Sequence, residues 1–364
     1  MSILDKPLAA EHKPRRKRWR YLLAGLLLLL IIAFLVSNPA NEFAFVQHFV
    51  TAPQHLTYSG HSAYVSSLAW SPDGRLIASA SGDHTVQIWN ASSGTRVRTY
   101  RGDNLDLSAV AWSPDGKYLA SGDIVGLVQV WNASNGQLAF TYRGQDGAIF
   151  SLAWSPDSQD IASASGDGSL QVWQALNGNV LLTVRNPTTA RGAAFPQAWN
   201  GVAWSPDGRY LAGGTNGNGQ VFDMQTRKLF SNAYGYHGDI IHAVAWSPDG
   251  QYLATAQASG AVLVWNVASG KNVLSYNNGN DDINSVAWSP DGKRIASGGN
   301  DALVQVWDAL TGQHAYIYRG HADVYPGHFT SHAAIYAVAW SPDGKRIASG
   351  GNDNTVQVWS VPTD

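Results

Sequence analysis

Aspartate follows Ser-Pro seven times in this 364-residue chain, at Asp73, Asp115, Asp157, Asp207, Asp249, Asp291 and Asp343. So many carboxylates could hold calcium or run acid–base chemistry. Their context says otherwise. Every copy lies in the phrase A-W-S-P-D, where Pro presets φ and Asp bonds its own backbone, which is what a turn requires. No D-x-[DN]-x-[DN]-G loop occurs. GGTNGNG, residues 213–219, has the composition of a phosphate cradle, yet it lies between two strand-like runs with no helix to follow and reads as a turn. His314, His321, His328 and His332 gather near one loop, but two of them serve the repeat described below, so no metal site is expected. The chain has no G-x-S-x-G elbow, no H-E-x-x-H pair and no cysteine. No catalytic residue, metal or cofactor is assigned.

The elements that carry these residues repeat. The Trp of A-W-S-P-D stands at 70, 112, 154, 204, 246, 288 and 340, with spacings of 42, 42, 50, 42, 42 and 52. A second aromatic follows each: Trp89, Trp131, Trp173, Phe222, Trp265, Trp307 and Trp359. Within a unit, period-2 runs rich in Val, Ile, Tyr and Trp are broken by Gly, Asn and Asp, giving four strands per unit of about 42 residues. The expected fold is all-β, a seven-bladed β-propeller of four-stranded antiparallel blades. The last unit stops after its third strand, while HLTYSG upstream of the first unit matches a fourth-strand ending such as TYRG. The N-terminal strand is therefore expected to close the last blade.

Over residues 54–364 the chain resembles the WD-repeat β-propeller family, seven copies agreeing in register. That resemblance implies a buried hydrogen-bonded set of His, Ser, Asp and Trp, matched here by His61, Ser79 or Ser81, Asp83 and Trp89. Asp167 with Trp173, Asp301 with Trp307, and Asp353 with Trp359 match it in part. A second Gly-His stands at His321, while His237 and His332 lie near the expected place. Units 2, 4 and 5 depart, with Val125, Asn216 and Ser259 where the turn Asp is expected.

Comparing the units with one another separates blade residues from recognition residues. Just before the innermost strand's variable position stands an apolar series that includes Trp199, read as core. The variable series itself is Ser66, Ser108, Phe150, Asn200, His242, Asn284 and Tyr336. Seven blades would set it as a ring at the channel mouth, for contact or as a plug. The two longer spacings add loops on the same face, within residues 185–198 and 319–333, carrying Arg191, Phe195, Tyr325 and Phe329 as further anchors.

Residues 1–20 hold seven Lys/Arg against two Asp/Glu, while the whole chain is at -2. The propeller is thus mildly acidic, and no basic stripe for nucleic acid exists outside the N-terminus. The basic tract runs into Tyr21–Val36, which carries no charge and spans about 24 Å as a helix, somewhat under the ~30 Å hydrocarbon core. It reads as one transmembrane signal-anchor helix, with a cytoplasmic stub before it and a juxtamembrane linker or short helix over 37–53. The positive-inside bias places residues after Val36 on the extracytoplasmic side. The functional expectation is a membrane-anchored, non-catalytic scaffold for protein partners. Alternatives are a sensor of a small ligand, such as a sugar or peptide, in the central channel, and a tethered hydrolase or lyase that would depend on His242.

Overall fold

A computed structural model describes residues 55–102, 104–186, 197–234, 238–277, 281–321 and 333–361. The chain divides into two units, residues 1–52 and 53–364, and all described residues belong to the second. The expected membrane helix at 21–36 and linker at 37–53 lie outside the described residues. Among the described residues no helix is long and apolar enough to cross a membrane.

The first strand is β1 (His55–Tyr58). Blade 1 is β2 (Val65–Trp70), β3 (Leu76–Ser81), β4 (Thr85–Asn90) and β5 (Arg96–Arg101), and blade 2 is β6 (Leu107–Trp112), β7 (Tyr118–Asp123), β8 (Val128–Asn132) and β9 (Leu138–Tyr142). Blade 3 is β10 (Ile149–Trp154), β11 (Asp160–Ser165), β12 (Ser169–Gln174) and β13 (Val180–Arg185), and blade 4 is β14 (Trp199–Trp204), β15 (Tyr210–Thr215), β16 (Gly219–Asp223) and β17 (Lys228–Tyr234). Blade 5 is β18 (Ile241–Trp246), β19 (Tyr252–Gln257), β20 (Ala261–Asn266) and β21 (Lys271–Asn277), and blade 6 is β22 (Ile283–Trp288), β23 (Arg294–Gly299), β24 (Val304–Asp308) and β25 (His314–Tyr318). Blade 7 is β26 (Ile335–Trp340), β27 (Arg346–Gly351) and β28 (Val356–Ser360), and β1 pairs antiparallel with β28, Tyr58 opposite Val356 and His55 opposite Trp359. The molecule is a seven-bladed propeller whose last blade borrows the first strand.

Each SPD aspartate closes the turn between a blade's first two strands. In blade 1, Ser71 Oγ donates to Asp73 Oδ1 at 2.6 Å, and Oδ1 also accepts the Arg75 amide at 3.1 Å. Ser71 Oγ in turn accepts the Leu76 amide, and the same pattern recurs in every blade. The carboxylates are thus spent on the backbone, and Gly74, at φ 69°, supplies the left-handed residue the turn needs.

The core lies between blades. Each apolar cluster draws on two neighbours, such as Ala348, Val356 and Val358 of blade 7 with Val65, Ile77 and Trp89 of blade 1. Alternating strand residues reach both faces, so each sheet is covered on each side. A recurring stack locks adjacent blades: Tyr58, Tyr142, Tyr276 and Tyr318 lie within 13° of parallel to Trp89, Trp173, Trp307 and Trp359, with centroids 4.1–4.8 Å apart. The tyrosine hydroxyls donate to Gln87, Gln171, Gln305 and Gln357. Trp199 is fully buried, as expected of core.

Candidate functional site

All seven variable residues meet. Ser66, Ser108, Phe150, Asn200, His242, Asn284 and Tyr336 line one cavity of about 410 Å³ at the channel mouth, together with Tyr64. The cause is a backbone irregularity that no composition reading reveals. In every blade the register between the first and second strands slips by one at this residue, from Val65/Ser67 in blade 1 to Ile335/Ala337 in blade 7. Each is the extra residue of a β-bulge, which leaves the ladder and re-aims a side chain.

The ring then splits into two kinds of residue. Ser66 Oγ donates to Leu107 O at 2.5 Å and Ser108 Oγ to Ile149 O at 2.6 Å, each joining the next blade. Asn200 Nδ2 donates to Ile241 O at 3.2 Å, and Asn284 Nδ2 to Ile335 O at 3.0 Å. Both asparagines also reach a turn amide, at Asn216 and Asn300, each at 2.8 Å. These four residues staple blades together. Phe150, His242 and Tyr336 lack such a staple and present rings, Phe150 45% and Tyr336 36% exposed.

Around the rings the polar groups are largely engaged. Tyr64 packs edge-on to Tyr336 at 6.0 Å and donates to Asp106 at 2.9 Å; burial, reinforced by that carboxylate, pushes the Tyr64 hydroxyl up to about 12. Burial lowers the His242 imidazole, opposed by Asp282 and Asp239, so the ring is neutral near pH 7. Its Nε2 is 3.8 Å from Asp282 and has no hydrogen-bond partner among the described residues. Arg191, Phe195, Tyr325 and Phe329 lie outside the described residues. The base of the first long loop is tied where Asn186 Nδ2 donates to Gln197 O at 3.1 Å, and its flanking Asn186 amide bonds Gly168 O.

The polar set below the ring is structural and differs in part from expectation. His61 bridges Asp83 (Nδ1, 2.8 Å) and Ser79 (Nε2, 2.7 Å), and His321 bridges Asp353 and Ser349 at 2.8 Å each. Ser79, rather than Ser81, is thus the serine of the set. Both imidazoles are wholly enclosed, so this Ser-His-Asp geometry has no access to a substrate. Trp89 and Trp359 were expected to join, but their indole nitrogens have no hydrogen-bond partner among the described residues, and each ring stacks on a tyrosine instead. Trp173 and Trp307 do donate to Ser163 and Ser297. Asp167 and Asp301 hold their turns by accepting the Ser169 and Leu303 amides.

Two residues escaped the sequence reading. Gln145 stands where blades 1 and 7 have histidine, accepting from Ser163 Oγ at 2.6 Å and donating to Ser169 Oγ at 3.0 Å. Its signal was positional, RGQDG against RGHAD. In blade 2, buried Asp123 accepts the Val125 and Leu127 amides, doing two residues earlier what an aspartate at 125 would have done. Among the described residues no three His, Asp or Glu side chains are grouped to hold a metal ion.

A closed ring of seven four-stranded blades with a lined channel mouth defines the class, a β-propeller. Residues 53–90, 94–132, 136–174, 196–223, 270–308 and 315–360 match the repeat described as "WD domain, G-beta repeat", and the chain belongs to the WD40 family. Residues 221–288 also match the "Anaphase-promoting complex subunit 4 WD40 domain". Among curated proteins, Protein Mut11 of Chlamydomonas reinhardtii is 51% identical over 39 residues, 11% of this chain and 10% of that protein. Protein HIRA of Zea mays is 49% identical over 39 residues, 11% of this chain and 4% of that one. The chain thus spans a tenth or less of the length of these relatives, a single repeat's worth.

Proposed function

We propose that this chain is a non-catalytic protein-interaction scaffold that engages its partner through the channel-mouth face. The observation that carries this reading is the division of the ring: four bulge residues are consumed in joining blades, and Phe150, His242 and Tyr336 with Tyr64 are left as rings around a cavity. Rigid aromatic groups on a preorganised rim are what interface energetics favour, because large rings bury much area at little entropic cost. WD40 propellers typically act as interaction scaffolds, which supports the same class. The setting we infer is membrane-tethered and extracytoplasmic, supported by the basic tract and the uncharged run at 21–36.

A small ligand is the second reading, favoured by the cavity volume of about 410 Å³, which falls within the range of ordinary ligand pockets. One experiment separates the two. Cross-linking in membranes followed by pull-down should recover a protein partner with the wild-type chain and lose it, by tenfold or more, with Phe150→Ala plus Tyr336→Ala. Unchanged capture by the double variant would sink the assignment. A saturable thermal shift with a sugar or peptide, abolished in the same variant and with no partner captured, would establish the ligand reading.

A further inference from the structure

On the opposite end of the blades, the first residue of the second strand covers the tryptophan of the next blade's first strand at five seams. Tyr118, Tyr210 and Tyr252 stack on Trp154, Trp246 and Trp288 at 6.3 Å, with interplanar angles of 18–23°. Leu76 and Trp112 both pack against the core cluster between blades 1 and 2. In the last two blades the cover is a guanidinium: Arg294 over Trp340 at 5.1 Å, and Arg346 over Trp70 at 4.8 Å. Arg346 shows the whole receptor, since Nη1 donates to Ala91 O and Nη2 to Gly74 O, both at 3.1 Å, in the neighbouring blade.

Blade 3 breaks the series. The covering position is Asp160, and the neighbour's tryptophan is Trp204. A carboxylate cannot stack on an indole face, and a hollow of about 520 Å³ opens at this seam, larger than those of about 380 and 340 Å³ at the next two seams. Its lining includes Asp160, Trp204, Gly208 and Met224. Gly208 and Met224 are the counterparts of Gly74 and Ala91: the Met224 amide bonds Arg209 O as the Ala91 amide bonds Arg75 O. The hollow therefore keeps the aromatic floor and the backbone positions of an arginine receptor but has an aspartate at the covering position.

We propose that the seam between blades 3 and 4 receives an arginine side chain from a partner protein, its guanidinium lying on Trp204 and pairing with Asp160. The molecule's own Arg346 and Arg294 show that this kind of indole face takes a guanidinium. Asp160 supplies the charge complement, since its half-buried carboxylate makes no side-chain hydrogen bond or ion pair among the described residues; burial, with Asp157 beside it and Arg227 opposing, pushes that carboxyl up. The Trp204 Nε1, like that of Trp112 at the Leu76 seam between blades 1 and 2, has no partner among the described residues, whereas Trp70, Trp154, Trp246, Trp288 and Trp340 donate to an alanine carbonyl of the preceding blade. Arg209 is already bound to Asp223 at 3.3 Å and lies over Tyr210, while Arg227 lines the hollow within electrostatic reach of Asp160 but forms no ion pair with it among the described residues. Leu181 and Met224, which line the hollow beside Trp204, suit an arginine flanked by apolar residues, and so a protein segment. This site is separate from the channel mouth and stands whether or not that face binds a partner.

The probe is a capped Leu-Arg-Leu peptide, titrated into the full chain in detergent with nitrogen-labelled tryptophan. The Trp204 indole resonance should shift saturably. Asp160→Asn should weaken binding about tenfold, and Leu-Lys-Leu should bind more weakly than Leu-Arg-Leu, because ammonium lacks the planar stacking face. Asp160→Arg should abolish binding while raising the melting temperature, since the tethered guanidinium would occupy the hollow as Arg346 does in its own seam. No saturable shift, equal affinity in Asp160→Asn, or equal affinity for the lysine peptide would overturn the proposal. N-acetyl-arginine amide binding as tightly as the tripeptide would overturn the assignment to a protein segment.

Discussion

At the scale of single residues, two kinds of carboxylate separate by what surrounds them. The SPD aspartates bond a neighbouring serine and their own turn, whereas Asp83 reaches across the blade to an enclosed imidazole. Burial alone would raise the Asp83 carboxyl; hydrogen bonds from His61, Thr85 and the Ser62 amide overcome that and hold it well below the usual range. Asp353 is shifted the same way through His321. A carboxylate whose folded pKa is depressed contributes stability that is fully present above the unfolded value of about 4 and is lost as pH falls through the folded value. Asp83→Asn should therefore cost about 2 kcal/mol at pH 7, lowering Tm by several degrees, and the gap from wild type should narrow toward pH 3. Melting curves at the two pH values check this, and a gap independent of pH would refute the charge-based account. The internal comparison of units found the ring positions but not their two roles. The acceptor of each staple lies 41 or 51 residues away, in the next blade, where no local pattern reports it. Gln145 was hidden for another reason: an amide, like an imidazole, can both accept and donate, so it bonds the Ser163 hydroxyl as His61 bonds Ser79, while its other end takes the Ser169 hydroxyl where His61 takes Asp83.

The element that matters most is the shortest. β1 has four residues, yet it supplies the fourth strand of blade 7 and places Tyr58 on Trp89 of blade 1, 4.8 Å away and 4° from parallel. Tyr58 also donates to Gln87 at 2.5 Å, and Leu56 packs against the same seam. Blades are built by local hairpins, but this pairing joins strands some 300 residues apart, so it must repay a large loop-closure cost through burial. Tyr58→Ala removes a buried ring and should cost about 3–5 kcal/mol, while Tyr58→Phe keeps the stack and should cost about 1 kcal/mol. A chain beginning at Gly60 should melt lower than one beginning at Thr51 and should elute partly as aggregate, because β28 would present an unpaired edge. Equal melting temperatures for the two would show that the ring does not depend on this strand. The closure is legible in HLTYSG matching TYRG, since Tyr58 makes the stack on tryptophan and the bond to glutamine that Tyr142, Tyr276 and Tyr318 make at their own seams.

For the whole molecule, the repeat produces a ring in which most seams follow one rule, and the candidate sites lie at the exceptions. Three bulge residues lack a staple, and one seam lacks its cover. Exceptions of this kind are readable only against a repeat, which is why the fold was more legible than the sites: seven copies average out noise in strand and turn, but a site uses the positions where copies disagree. The seam at Asp160 went unread because the first residue of a second strand looks like an ordinary solvent position until the neighbouring blade's tryptophan is placed beside it. The proposed membrane setting is a separate matter and rests on the sequence of the N-terminal segment. Tyr21–Val36 has no charge to desolvate, and each arginine placed at the centre of such a span costs about 3 kcal/mol on insertion. The full chain should therefore sediment with membranes and resist alkaline carbonate, whereas Leu28→Arg with Ile31→Arg should release it. In sealed vesicles of cytoplasmic-side-in orientation, external protease should cleave the chain after Val36 while sparing an epitope within residues 1–20. Protection of the propeller and loss of the epitope would reverse the orientation, and a wild-type chain freed by carbonate alone would remove the membrane anchor from the proposal.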